Sequence, residues 1–417
     1  MVLLLFTILL VVGVPIGIST GLSALLYMHF EASRSFASIV QAMFSGVDSF
    51  ALMAIPFFIF AGDIMLKGGV SKRLIDFAKK LIGWTSGGLP ITGVISSMFF
   101  AALSGSSPAT VAAIGGIIIP SMEEANYDKE FAVGLMCTSG SLGIIIPPSI
   151  TLLVYGVITE QSIAQLFLAG IVPGIFIGVV LMGAAFFFAR KQPYEKEAFP
   201  TLKDILHSFR KSFWGLLMPI LVLGGIYLGI FTPTESAAVA VAYSLIVSLF
   251  VYKELKFSEI LGIAKKSVTI SAVIMFIIAN ATILSRYLTF RKVPATIATF
   301  ILQHANTPFF LLLLINLLLL FVGMIMDPSA AVTILAPLFL PAVVGLGVNP
   351  IHFGVVMIVN LAIGMLTPPF GLNLYVAAGI GKMTVSQVTK AVLPYIALMI
   401  ATLFVITYVP QLSLMIL

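Results

Sequence analysis

Apolar residues run along this chain in long blocks, separated by short polar connections. A membrane span needs about 20 predominantly apolar residues, and the sequence supplies roughly a dozen such blocks. The pattern therefore predicts an all-α polytopic membrane protein. The first block, Met1 to Phe30, has no basic stretch ahead of it. It also outruns the core of about 7 to 15 residues found in a cleavable leader, so it reads as a retained span. Between Val70 and Ile82, Leu74, Ile75, Phe77, Ala78 and Leu81 alternate with Lys72, Arg73, Lys79 and Lys80, the pattern of a helix lying in the interface.

Several blocks are interrupted. Gly88 to Leu103 is apolar, Ser104-Gly105-Ser106-Ser107 is polar, and Ala109 to Pro120 is apolar again. Each arm falls short of a bilayer core of about 30 Å at 1.5 Å per residue. A re-entrant hairpin over 88–120, with its tip near the middle of the bilayer, fits better than two spans. The same design recurs as Pro308 to Gly323, Met324 to Asp327 and Pro328 to Pro341, a second hairpin over 308–341. Two further segments, 131–158 and 353–380, carry proline pairs near their middles, Pro147-Pro148 and Pro368-Pro369. A proline pair removes two backbone donors and unwinds a helix locally.

These interruptions repeat in order. Ser107-Pro108 with Pro120, Gly143 to Ser149, and Phe131 find counterparts in Asp327-Pro328 with Pro341, Gly364 to Phe370, and Phe353, at a nearly constant offset. Internal duplication of this kind is typical of secondary transporters, whose halves usually have inverted topology. We therefore divide the chain into a first repeat (1–190), a basic linker (191–212) and a second repeat (213–417). The linker carries Arg190, Lys191, Lys196, Lys203, Arg210 and Lys211 at or near its bounds, and the positive-inside rule puts it in the cytoplasm. Leu202, Ile205, Leu206 and Phe209 give part of it a helical, surface-lying pattern. Lys253, Lys256, Lys265 and Lys266 form a second basic connection, between which Phe213 to Ile230 and Ser236 to Tyr252 cross out and back.

The interruptions carry chemistry. Ser107 before Pro108 and Asp327 before Pro328 are helix starts, so each tip points free N–H groups and a positive dipole end into the membrane, where an anion is favoured. The carbonyls of Gly143 to Ile146 and Gly364 to Thr367, freed by the proline pairs, cannot face lipid unsatisfied. A cation satisfies them, and the hydroxyls of Ser104, Ser106 and Thr367 add hard oxygens without charge. One sodium ion is expected between Ser104/Ser106 and the break at Gly143–Pro147, and another between Gly323 and the break at Gly364, Thr367 and Pro368. Asp327 serves equally as a cap or as an ion or substrate contact.

Composition narrows the function. Of 417 residues, 60% are hydrophobic and 9% charged; a soluble domain carries about 25% charged residues. Mean hydropathy is +1.16. The net charge of +6 resides in loop clusters and suits membrane orientation better than nucleic-acid binding. The single cysteine, Cys137, permits no intramolecular disulfide. His29, His207, His304 and His352 are scattered without metal-ligand spacing. No Walker motif, nucleophile elbow or zinc-protease signature occurs, so ATP-driven transport and an enzyme are unsupported. Acids within the spans are few, which disfavours a proton relay and favours sodium bound by neutral oxygens. Moving one net positive charge inward across 100 mV yields about 2.3 kcal/mol.

Bland readings cover other residues. Thr232-Pro233-Thr234-Glu235 spaces a capping box, so Glu235 is read as structural. Asp63 and Lys67 read as an ordinary i, i+4 pair. Asp48, just before the apolar run from Phe50, serves equally as a functional acid or a cap, and Arg286 reads by preference as a side chain snorkelling to the surface rather than as a contact to a substrate or a partner subunit.

Through Asp48-Ser-Phe-Ala-Leu-Met-Ala-Ile-Pro-Phe-Phe58, Ser104-Gly-Ser-Ser-Pro-Ala-Thr110, Ile146-Pro-Pro-Ser149, Phe231-Thr-Pro-Thr-Glu-Ser236, Asp327-Pro328 and Leu366-Thr-Pro-Pro369, the chain resembles the large membrane (permease) subunit, DctM-like, of the tripartite ATP-independent periplasmic (TRAP) transporters. The resemblance covers nearly the whole chain. It implies an elevator-type transporter of the bacterial inner membrane, coupled to sodium. It also implies a periplasmic substrate-binding protein and a separate small membrane subunit, since the sequence opens directly in the large-subunit region. By that resemblance the sodium sites fall on Ser104, Ser106, Gly143, Ile146, Pro147, Gly323, Asp327, Gly364, Thr367 and Pro368. The substrate, a small organic acid such as a C4-dicarboxylate or sialic acid, lies between the tips, against Ser107, Pro108, Ser149, Asp327, Pro328, Thr367 and Pro369. A stand-alone sodium/carboxylate symporter is the competing reading.

Overall fold

The computed structural model describes the chain except residues 1, 32–33, 191, 193–198, 297–298 and 300–306. Lys191, Lys196 and His304, weighed above, lie outside the described residues. Every regular element among the described residues is helical. Seven helices are long and apolar enough to cross a membrane: Phe50–Lys67, Ile163–Ala189, Leu202–Tyr227, Pro233–Val251, Phe257–Phe290, Pro328–Gly345 and Val385–Tyr408. The protein is a multi-pass membrane protein.

Three of these helices open on reciprocal caps that hold their first free donors. Thr201 pairs with Asp204, Thr232 with Glu235 and Thr384 with Gln387, each side chain bonding the other residue's backbone N–H. Glu235 is thus the structural residue its spacing implies. Asp48, by contrast, follows helix Phe36–Val47 and caps no helix start.

Two long helices overrun the boundaries read from charge. Leu202–Tyr227 is continuous, so the amphipathic end of the basic linker is the first part of a span. Phe257–Phe290 starts directly after Lys256 and carries Lys265 and Lys266 within it rather than in a connection. Lysine is a good helix former, and nothing in this stretch stops the helix.

The two interrupted pairs form as helix–turn–helix units. Gly88–Ser104 turns at Gly105, which has a φ of 60° that favours glycine. It returns through Ser107–Thr110, a wide turn at Val111–Gly115 and Gly116–Glu124. Pro308–Gly323 returns as Pro328–Gly345. This last arm, at 18 residues, is long enough to cross by itself. The sequence reading ended it at Pro341, but the helix carries Pro337 and Pro341 internally, as membrane helices can.

Both proline-pair segments are broken. Lys129–Ser139 tightens at Gly140–Ile144, loses helical form at the prolines and resumes as Ile150–Thr159. Pro350–Gly364 gives way to an irregular stretch and resumes as Leu372–Gly381. Both Pro-Pro peptide bonds are cis.

The packing crosses between the halves of the chain. Ile150–Thr159 lies on Pro328–Gly345, while Leu372–Gly381 lies on the Val111–Glu124 arm. Tyr155 donates to the Pro350 carbonyl at 2.7 Å, and its ring meets Phe353 edge-on. A separate wall is made by Ala54–Lys67 against Phe257–Phe290, which also packs on Ile16–Phe30, Phe36–Val47 and Pro328–Gly345. Val70–Ile82 lies across Gly88–Ser104 and Leu202–Tyr227 with Leu74, Ile75, Phe77 and Ala78 buried. Its Arg73 is held by Glu254 at 2.7 Å and sits over the Tyr252 ring.

Cys137 is wholly enclosed where the two halves meet. Its thiol is expected to resist N-ethylmaleimide in the folded protein and to react fully once the chain is unfolded in dodecyl sulfate. Rapid labelling of the native protein would contradict this packing.

Candidate functional site between the helix tips and the wall

Each tip meets the broken helix of its own half through a glycine. At Gly143 an added Cβ would stand 2.4 Å from the Ser106 carbonyl oxygen and 2.6 Å from Thr110 Oγ1. Gly364 is tighter: its Cβ would fall 2.4–2.6 Å from the backbone of Gly323. Main-chain hydrogen bonds tie the same pairs, from Ile150 N to Gly105 O at 3.5 Å and from Phe370 N to Met324 O at 3.2 Å.

The first junction is rich in uncharged oxygen. Ser104 Oγ lies 3.1 Å from Thr110 Oγ1 and 3.3 Å from the Ser106 carbonyl, to which Thr110 donates at 2.9 Å. Neighbouring ligands around a hard cation with bonds of about 2.4 Å are separated by roughly this much. Three neutral hard donors therefore fit an alkali cation. They do not suit a soft metal, and among the described residues no His, Cys, Asp and Glu cluster could hold one. The second junction gathers Gly323, Gly364 and Thr367 around main-chain atoms: Thr367 Oγ1 donates to Ile363 O at 3.0 Å, and Thr367 N to Gly364 O at 3.0 Å. Its donor set is chiefly backbone carbonyls, and it too fits a hard cation.

A cavity of about 630 Å³ opens between the two junctions and the wall. Ser104, Gly105, Ser106 and Pro108 line it from the first tip, and Asp327, Pro328 and Ser329 from the second. Ile144, Ile150, Thr151, Met365 and Leu372 come from the broken helices. The wall contributes Asp63, Lys266 and Thr269 among apolar neighbours. Asp327 caps its helix, accepting from Ser329 N at 2.8 Å, and borders the cavity as well. Both roles weighed for it from sequence are open to it.

Several candidates stand elsewhere. Ser107 is not a cap, since the first tip's helix begins after Ser106, whose side chain makes no capping bond. Its hydroxyl instead meets the buried amide of Asn373, at 2.7 Å from Nδ2 and 3.0 Å from Oδ1, joining the halves. Ser149 is buried, donating to the Ile144 carbonyl at 2.5 Å and capping Ile150–Thr159 through Leu152 N. The Pro369 carbonyl accepts from Tyr375 at 3.0 Å. Ser107, Ser149, Thr367 and Pro369 do not line the cavity.

Sequence reasoning missed Thr110, Asn373 and the wall. Asp63 does not pair with Lys67; it pairs with Lys266 at 3.0 Å and accepts from Ser267 at 2.9 Å. Helical spacing favours a local partner, but the crossing of two helices supplies a better one. Thr110 carried a signal, lying four residues after Ser106, where a helical hydroxyl reaches back to a carbonyl. Arg286 donates to Ser45 at 2.9 Å near a surface pocket with Arg34.

Comparison with known proteins agrees with this architecture. Residues 3–412 match the profile of the family described as "Tripartite ATP-independent periplasmic transporter, DctM component". The chain is 44% identical to the C4-dicarboxylate TRAP transporter large permease protein of Vibrio cholerae, over 97% of this chain and 94% of that protein. It is 44% identical to the isethionate TRAP transporter permease of Oleidesulfovibrio alaskensis, over 97% of this chain and 64% of that protein. A sialic acid TRAP transporter permease of Haemophilus influenzae is 37% identical, over 98% of this chain and 66% of that protein. In fold, the chain is similar to the YdaH transporter of Alcanivorax borkumensis, with a TM-score of 0.66 and 14% identity, covering 89% of this chain and 87% of that one. MtrF of Neisseria gonorrhoeae gives a TM-score of 0.64 at 14% identity, over 89% and 83%.

The glycine junctions yield a direct test. Gly364→Ala forces the backbone of Gly323 to move and should cost about 1–3 kcal/mol, whereas Gly116→Ala and Gly379→Ala enter open space. Thermal unfolding of the purified protein should drop for the first and hold for the other two; equal melting temperatures would argue against the close approach.

Proposed function

Because the chain belongs to the large-permease, or DctM, family of tripartite ATP-independent periplasmic transporters, we propose that it carries out sodium-coupled uptake of a small organic anion by an elevator mechanism. It is a transport permease of organic acids and not an enzyme. The small membrane subunit and the periplasmic binding protein that the family name implies are its proposed partners, and the inner membrane its proposed location.

One observation carries the reading: two neutral, oxygen-lined junctions flank a single cavity that a wall closes from the side. In the proposed arrangement the two helix pairs are re-entrant hairpins of inverted repeats. They move with the broken helices as one body, while Ala54–Lys67 and Phe257–Phe290 stay with the static scaffold. Sodium, when bound, supplies positive charge beside the cavity. Ser104 and Thr110 offer hydroxyls and Ser106 a carbonyl to one ion; Gly323, Gly364 and Thr367 frame the other. Helix starts at the tips present N–H groups and favour the anion. Asp327 fixes the second tip by capping its helix and brings a carboxyl group to the border of the cavity.

The substrate class follows from the relatives, whose names give C4-dicarboxylates, isethionate and sialic acid. All are acids small enough for a cavity of about 630 Å³. A stand-alone symporter would share these features and differ only in needing no binding protein.

Two measurements test the proposal. In proteoliposomes holding the permease and its small subunit, supplied with the binding protein, Ser104→Ala and Thr367→Ala should each raise the sodium concentration for half-maximal uptake about tenfold, on the order of one lost hydrogen bond to a charged group. Identical sodium titrations in both variants and wild type would sink the ion assignment. Omitting the binding protein should abolish uptake, and robust uptake by the permease without it would favour the symporter.

A further inference from the structure

The wall of the cavity holds one ion pair that the proposed sodium and tip chemistry leaves unused. Lys266 is the single cation among the residues lining the cavity, whose lining also includes two acids, Asp63 and Asp327. Its ammonium touches only Asp63 Oδ1, at 3.0 Å, and its side chain is 62% exposed. Three N–H donors are carried there, so two remain for the cavity. Asp63 is the converse, with 13% of its side chain exposed. It has a second support: Ser267 Oγ lies 2.9 Å from Oδ2 and 3.0 Å from the Ile263 carbonyl. A hydroxyl has one proton, so Ser267 can give it to the helix carbonyl or commit it to Asp63.

From this geometry we infer that Lys266 is the static-side anchor for the transported anion. On binding, the ammonium shares itself between Asp63 and a carboxylate or sulfonate oxygen of the substrate, while Ser267 turns its proton to Asp63 and keeps that acid solvated. The inference rests on the reading of this cavity as the anion site. It adds the specificity residue: the tips and their cations receive one end of the solute, and a flexible lysine reaches the acid group from the wall. The length and mobility of lysine suit anions of different length, in keeping with a compact ammonium that makes single hydrogen bonds rather than the fixed fork of arginine.

A purely structural lysine, present only to neutralise Asp63, makes a different forecast, and the double variant separates the two. Uptake of labelled succinate, isethionate and N-acetylneuraminate is measured in proteoliposomes with the complete transporter, and the anion that wild type carries is used for the variants. Lys266→Gln should raise KM about tenfold, the size of one lost hydrogen bond to a charged group, with a much smaller change in kcat. Lys266→Arg should recover most of the affinity. Asp63→Asn/Lys266→Gln, which has no unpaired acid and so folds if Lys266→Gln does not, should keep the raised KM. Wild-type KM in the double variant, or in Lys266→Gln itself, would overturn the assignment. Failure of wild type to carry any of the three anions would instead bring down the underlying transport reading.

Discussion

A main chain inside a bilayer has no water to satisfy it, so every break in a membrane helix must find its partners within the protein. That constraint organises this molecule around Pro147-Pro148 and Pro368-Pro369. Each proline pair ends a helix in the middle of an apolar segment, and each break is met by the tip of a neighbouring helix pair, close enough that only glycine fits at the contact. Main-chain bonds from Ile150 to Gly105 and from Phe370 to Met324 close part of the gap. What remains is carbonyl and hydroxyl oxygen turned toward one another, a surface that a small cation can complete.

The cross-packing of the halves decides which parts can move as a unit. Ile150–Thr159 rests on the second helix pair, Leu372–Gly381 on the first, and Ser107 is bonded to Asn373 across the same boundary. These contacts tie each tip to the broken helix of the other half. The wall packs closely on both helix pairs, Gly62 against Ser104 and Phe257–Phe290 along Pro328–Gly345, and it meets the cavity through Asp63, Lys266 and Thr269. In the proposed mechanism the boundary between moving body and scaffold runs along these wall contacts, which must slide.

Hydrophobic pattern and proline spacing made the helical class, the duplicated breaks and the tip sequences legible before any coordinates, because these features are local. Ser104, Ser106, Gly143, Gly323, Gly364 and Thr367 do gather at the two junctions. Contacts fixed by tertiary geometry were not legible. Ser107 looked like a cap from its position before Pro108, but Asn373, far along the chain, takes its hydroxyl. Asp63 was assigned to Lys67 by helical spacing, and the crossing helix supplied Lys266 instead. Charge also misled at Lys265 and Lys266, where a basic pair was read as a connection although the helix runs through it.

The two junctions are built from different atoms, and that difference has a consequence for coupling. The first offers side-chain hydroxyls from Ser104 and Thr110, groups that rotate and that hydrogen-bond to each other and to the Ser106 carbonyl. The second offers mostly main chain, held where Gly323 and Gly364 touch. Hydroxyl oxygens can turn toward a cation while the backbone stays in place, whereas carbonyls set by a glycine contact change position only when the helices themselves move. Under the proposed reading, an ion at the first junction binds by local reorientation, and an ion at the second is sensed by the relation of tip to broken helix. Asp327, which caps the helix four residues after Gly323 and borders the cavity, is in this reading the residue that links the two. The second junction is therefore the one through which cation binding can set the position of the tip that the anion meets.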